Sequence, residues 1–126
     1  MTGVLVVVCV AAGGFVGAPS RFLVDRLVTD RVEADFPWGT FIVNISGSFL
    51  LGLLTGLDLA GHMPVLVKAL VGTGFCGAYT TFSTWSFETI RLLEENEIVE
   101  ALLNAAVSLL TGLLAAAGGI ALGLVR

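Results

Sequence analysis

Long apolar runs, each closed by a cluster of charge, dominate the chain. Residues 1–20, 36–57, 69–87 and 101–125 contain no Asp, Glu, Lys or Arg. Charge gathers between them, from Arg21 to Asp35, at Asp58 and Lys68, and from Glu88 to Glu100. A bilayer core about 30 Å thick takes roughly 20 helical residues, and each run is about that long. Strands of a membrane barrel would alternate in polarity over about 10 residues, and these runs do not alternate. The pattern predicts an all-α membrane protein, one domain over residues 1–126, with transmembrane helices at about 4–28, 36–58, 64–90 and 98–125. A secretory signal at the start is disfavoured, because no Lys or Arg precedes Val4 to make a positive n-region.

Composition narrows the classes further. Apolar residues make up 56% and charged residues 13%, about half the ~25% charge of a soluble domain. A small soluble globule could not cover its surface with so few polar groups, and a disordered chain would be far less apolar. A net charge of −4 speaks against a nucleic-acid partner, which would demand a basic patch. Cys9 and Cys76 lie inside the spans and read as buried thiols rather than a disulfide framework. His62 has no second metal-ligand candidate nearby, and no nucleophile, base and metal set converges, so no enzyme is expected.

Orientation in the membrane is weakly specified. Arg21, Arg26, Arg31 and Arg91 fall on one side and Lys68 and Arg126 on the other. So slight a bias under the positive-inside rule leaves both insertions open, and with them an antiparallel dimer.

Two motif matches fail on context. Gly72, Gly74 and Gly77 spell G-x-G-x-x-G, but no strand precedes them and they lie inside an apolar run. Asn44-Ile45-Ser46 spells a glycosylation acceptor but sits near the middle of a span. The pairs Gly13/Gly17, Gly52/Gly56 and Gly119/Gly123 fit the small-xxx-small spacing that lets membrane helices approach closely.

The third run is the unusual one. From Gly72 to Ser86 it carries three glycines and a cluster of Ser and Thr, which form helix poorly and compete for backbone hydrogen bonds. Its midpoint is Ala78, so a helix break is expected near mid-membrane, around Gly77 to Thr81. Carbonyls freed there must face protein, water or an ion, and discontinuous helices of this kind mark ion and substrate sites. Asn44 lies within roughly 4 Å of mid-membrane depth in the second span, where an amide requires partners. Asn104, Ser108 and Thr111 share one face of the fourth helix. Phe82 and Trp85 are three apart on one face. Amide and hydroxyl donors with positive ring edges suit a small anion, whereas carbonyls at the break would suit a cation. The residues therefore point to a small ionic or polar permeant, slightly favouring an anion, without naming it.

The stretch Gly74-Phe75-Cys76-Gly77-Ala78-Tyr79-Thr80-Thr81-Phe82-Ser83-Thr84-Trp85 resembles the signature of the Fluc (CrcB) fluoride channels. Gly17 to Arg21-Phe22, and Pro37-Trp38-Gly39-Thr40 followed by Asn44, agree with it. The resemblance implies a passive fluoride channel that exports fluoride across the bacterial cytoplasmic (inner) membrane. It implies an antiparallel dual-topology dimer with two pores. By position it implies Asn44 as a pore-lining amide and Phe82 as the first ring of an aromatic pair. Gly77 and Thr80 would hold a central structural sodium ion through backbone carbonyls. Ser83, Thr84, Asn104 and Ser108 become candidates for a polar track, and Arg21 for a basic vestibule position. Trp85 departs from the family, which usually has phenylalanine there. That leaves two readings: a homodimer whose pore uses the indole donor, or a heterodimer with a paralogue in which this chain is a non-conducting partner. A proton-coupled small multidrug transporter, which needs an embedded carboxylate, and a non-conducting assembly subunit are the competing classes.

Overall fold

The structure, a computed structural model, describes residues 2–34 and 36–125. Among them the only regular elements are helices. Helix α1 covers Thr2–Arg31 and α2 covers Trp38–Leu59. The next span is segmented: α3 (Val65–Val67) runs into a π-helical stretch, Lys68–Cys76, then α4 (Gly77–Tyr79), and after an interruption α5 (Phe82–Glu94). Helix α6 covers Ile98–Leu124. Taking the segmented stretch Val65–Glu94 as one, four helices are long and apolar enough to cross a membrane.

The connections are short and chemically marked. Pro37 and Pro64 stand directly before α2 and α3, where a residue without an N–H leaves no helical bond unmade. Gly61 turns the chain between α2 and α3 with φ +84°, a left-handed conformation glycine adopts without strain. Asn96 does the same between α5 and α6 at φ 62°, a conformation its short polar side chain tolerates. Lys68 and Asp58 tie the start of the third span to the end of α2 at 3.2 Å.

Lipid is as apolar as leucine, so burying large side chains cannot by itself hold membrane helices together. Here backbone-to-backbone contact does it. Ideal Cβ atoms on Gly52 and Gly56 of α2 would strike the carbonyls of Ala116 and Ile120 on α6. On Gly119 and Gly123 they would strike the backbone of α2 in return. Contacts advance in the same direction along both helices, so α2 and α6 run parallel. Helix α1 pairs likewise with the third span, where a Cβ on Gly13 would meet the Leu70 carbonyl and one on Gly17 the Phe75 carbonyl. Spans one with three and two with four form the parallel pairs, as alternating passage through a bilayer requires.

Candidate functional site

The interruption of the third span falls at two residues, Thr80 and Thr81. Both are extended, at φ −81°, ψ 157° and φ −147°, ψ 123°. The expected break spanned Gly77 to Thr81; Gly77–Tyr79 still forms a helical turn. Local chemistry confines the break to the last two residues of that stretch. The Thr80 hydroxyl bonds back to the Cys76 carbonyl at 2.9 Å, alongside the Thr80 N–H at 3.0 Å, which closes the upstream helix. The Thr81 hydroxyl accepts from the Thr84 N–H at 3.1 Å, which caps α5 in the manner of a Ser/Thr N-cap. Two adjacent threonines thus finish one helix and start the next.

The backbone between them is held by one side chain. Asn44 Nδ2 donates to the Thr81 carbonyl at 2.9 Å, and Asn44 Oδ1 accepts from the Thr81 N–H at 2.8 Å. In an unbroken helix that N–H would serve the Gly77 carbonyl. The carboxamide therefore takes the place of a missing helical turn. One turn along α2, Gly47 makes room for the break: a Cβ there would meet Thr80 Cγ2, and the Tyr79 ring at 3.2 Å. Tyr79 OH and Ser46 Oγ hydrogen-bond at 2.9 Å, a second polar link between the same elements. The sequence reading missed Gly47; its spacing three residues after Asn44 is the available signal.

Two recesses flank this junction. One, of about 200 Å³, is lined by Arg21 and Asp25 of α1, Thr40 and Val43 of α2, and Thr81 and Thr84 at the start of α5. It brings the expected residues Arg21 and Thr84 to the break. It also adds Asp25 and Thr40, which the sequence did not single out. Gly39 is what admits Asp25, whose carboxylate fills the position a Cβ would take. Glu88 follows Thr81 and Thr84 on the same helix face. It comes up beside Thr40 and Asp25, and its Oε1 is buried without a hydrogen-bond partner among the described residues. The second recess, a groove of about 440 Å³, runs between α2 and the third span past Asp58, Lys68, Thr73, Gly77 and Thr80.

The remaining candidates divide. Phe82 is 75% exposed and Ser83 is exposed too, both on the outer face of the single chain. Phe82 and Trp85 lie 5.2 Å apart between ring centroids, tilted by 51°. The indole N–H, which one of the two readings of Trp85 gives to the pore, donates to the Asn104 main-chain carbonyl at 2.8 Å. Asn104 is 0% exposed and bonds to Thr89 Oγ1 at 2.6 Å, while Ser108 Oγ donates to Asn104 Oδ1 at 3.2 Å. Asn104 and Ser108 thus form a polar seam between α5 and α6, apart from both recesses. The third residue of that face, Thr111, bonds within its own helix.

Comparisons with known proteins agree with one another. The family model described as CrcB-like protein, Camphor Resistance (CrcB), matches residues 8–120. A fluoride-specific ion channel FluC 1 from Streptomyces avermitilis is 50% identical over 111 residues, covering 88% of this chain and 90% of that protein. Another FluC 1, from Frankia casuarinae, is 49% identical over 118 residues, covering 90% and 92%. A FluC 2 from Mycobacterium tuberculosis is 53% identical over 103 residues, covering 82% and 79%.

Proposed function

The chain belongs to the CrcB-like family, one of multi-pass membrane ion channels and not of enzymes, and on that footing we propose that it conducts fluoride passively out of the cell across the bacterial cytoplasmic membrane. The observation that carries the reading is the clamped break. Asn44 holds two backbone groups of Thr81 inside a membrane span, where hydrocarbon would leave them without partners. Beside it the Thr40, Thr81 and Thr84 side chains line a small recess together with Arg21. The hydroxyls and Arg21 are the groups there that can replace the hydration of a small anion, while the Asp25 carboxylate lines the same recess. An inside-negative potential favours anion exit by about 2.3 kcal/mol per 100 mV, so export requires no energy input.

The working unit we propose is an antiparallel dimer of two copies, with two pores. Its support is the outer face of the single chain. Thr73, Gly77 and Ser83 are exposed along the middle of the third span, and lipid would leave their polar groups unmatched. A second copy laid over that face covers them and brings a second Phe82 into play. We also assign a structural sodium ion to the break. The Gly77 carbonyl has lost its helical donor to Asn44, and the Thr84 N–H, the helical donor to the Thr80 carbonyl, goes to Thr81 Oγ1. Gly77 and Thr80 would hold the ion through those two oxygens, the ligand type a hard cation takes. Two oxygens from one chain are too few, and a second copy would double them. The ion would tie the two broken helices together by neutralising the main-chain oxygens they expose.

Efflux from liposomes loaded with fluoride and holding this chain alone, followed with a fluoride electrode, tests the channel. Rapid fluoride release with retained chloride is expected; a chain that releases none overturns the homodimeric channel. Phe82→Leu, on an exposed site that packs against no core, is expected to cut flux at least about tenfold while the dimer still elutes intact. Unchanged flux would remove Phe82 from the pathway. For orientation, His62→Cys in a chain with Cys9 and Cys76 replaced by Ser is expected to react partly from each side of the membrane with an impermeant maleimide. Labelling from one side alone excludes the antiparallel arrangement.

A further inference from the structure

We propose that Trp85 and Asn104 form a reciprocal clasp which fixes the half-helix after the break, and that the indole N–H acts on α6 rather than on the permeating ion. The inference deepens the channel reading and rests on it for its functional consequence, though not for its geometry. Helix α5 begins at a break, so no continuous backbone ladder ties it to the upstream span, and its position must come from its neighbours. Its link to α6 is a matched exchange. The Trp85 side chain donates to the main-chain carbonyl of Asn104 at 2.8 Å, and the Asn104 side chain approaches the main-chain carbonyl of Trp85 at 3.3 Å. Thr89 closes the ring. Its hydroxyl donates to the same Trp85 carbonyl at 2.9 Å and accepts from Asn104 Nδ2 at 2.6 Å. Ser108 then bonds to the other end of the amide, so both atoms of the Asn104 carboxamide are engaged.

A phenylalanine at position 85 would have no group to offer the α6 carbonyl; the indole has one donor and no acceptor. The clasp therefore sets where the second ring stands beside Phe82, 5.2 Å away between centroids. It leaves the Trp85 side chain only a ring edge to offer the ion. Asn104 is a positioning residue that acts through Trp85, and its burial at 0% exposure keeps it clear of the ion.

A double-substitution cycle on fluoride efflux tests the clasp. Interactions that belong to one unit are strongly non-additive. Trp85→Phe and Asn104→Ala are each expected to lower flux about tenfold, and the double variant to be no worse than about threefold beyond either. A double variant whose loss equals or exceeds the product of the two, or single variants that conduct normally, overturns the proposal. A second readout needs no ion flow. With Trp38→Phe leaving Trp85 as the sole indole, its Raman hydrogen-bond marker is expected to report a bonded N–H with or without fluoride. Asn104→Ala should weaken that bond, and so should the milder Thr89→Val if the alanine variant fails to assemble. A marker that responds to fluoride, or ignores both substitutions, refutes the clasp, whereas absent flux with the expected marker refutes only the channel reading.

Discussion

Asn44→Ala cuts fluoride efflux about a hundredfold on the present reading, a larger loss than any change to a hydroxyl of the recess should give. The substitution strands the Thr81 N–H and carbonyl, which now bond to the carboxamide at 2.8 and 2.9 Å. Leaving a buried polar group unsatisfied costs about 1–3 kcal/mol, and the cost rises in hydrocarbon, where water cannot step in. The chain has a cheaper alternative. The Thr81 N–H can return to the Gly77 carbonyl and heal the helix, which removes the extended pair and the main-chain oxygens it exposes. A shift of roughly 2.7 kcal/mol is about a hundredfold in flux, and that is the loss expected in the liposome assay, with the dimer peak retained in gel filtration. Asn44→Asp separates the two bonds. It keeps an acceptor for the N–H but sets a carboxylate oxygen against the Thr81 carbonyl, so it should fail almost as badly. Flux within about twofold of the parent for Asn44→Ala would show that the break holds itself without the clamp.

How much of this was readable beforehand differs between the scaffold and the site. Span number followed from the gaps in charge, because the demand of a bilayer for uninterrupted apolar length leaves a direct trace in one dimension. The glycine pairs were readable for the same reason: Gly52/Gly56 and Gly119/Gly123 sit four apart, and a helix turns that spacing into a flat stripe. The break was legible as a region, since Gly, Ser and Thr accumulate from Gly72 onward. Its location at Thr80–Thr81 was not. It depends on which hydroxyl finds which backbone group, a contest settled by Asn44 reaching across from another helix. The partners of Trp85 lay out of reach for the same reason. An indole donor at mid-span must find an acceptor, but only the packing of α5 on α6 says that the acceptor is the Asn104 carbonyl rather than a permeant. Glu88 and Asp25 were seen as charges at span ends, and the fold sets them around Thr40. Their signal was the continuation of the Thr81–Thr84 face to Glu88, visible only once the register of α5 is known.

The stability of the assembly rests on a different kind of residue, and Gly119→Val exposes it. The added side chain begins at a Cβ that would overlap the Phe49 carbonyl and stand 2.7 Å from Leu53 N. Both are backbone atoms of a regular helix, so neither can swing aside as a flexible side chain would. The helices must separate, and because Gly123 and Gly56 form the next contact along the same parallel seam, separation at one pair loosens the other. Overpacking a well-packed site costs typically 1–3 kcal/mol, and a bulky β-branched group against backbone belongs at the top of that range. The expected result is a loss of folded protein in detergent and a clear fall in thermal unfolding temperature, with flux lost in proportion. Gly118→Val, one residue earlier and open to its surroundings, should be nearly silent. That contrast decides the matter: equal damage from both substitutions would assign it to helix propensity or valine in general, whereas damage confined to position 119 assigns it to the α2–α6 seam. Because α2 carries Asn44 and α6 carries Asn104, the same seam keeps the clamp at the break and the clasp beyond it in register.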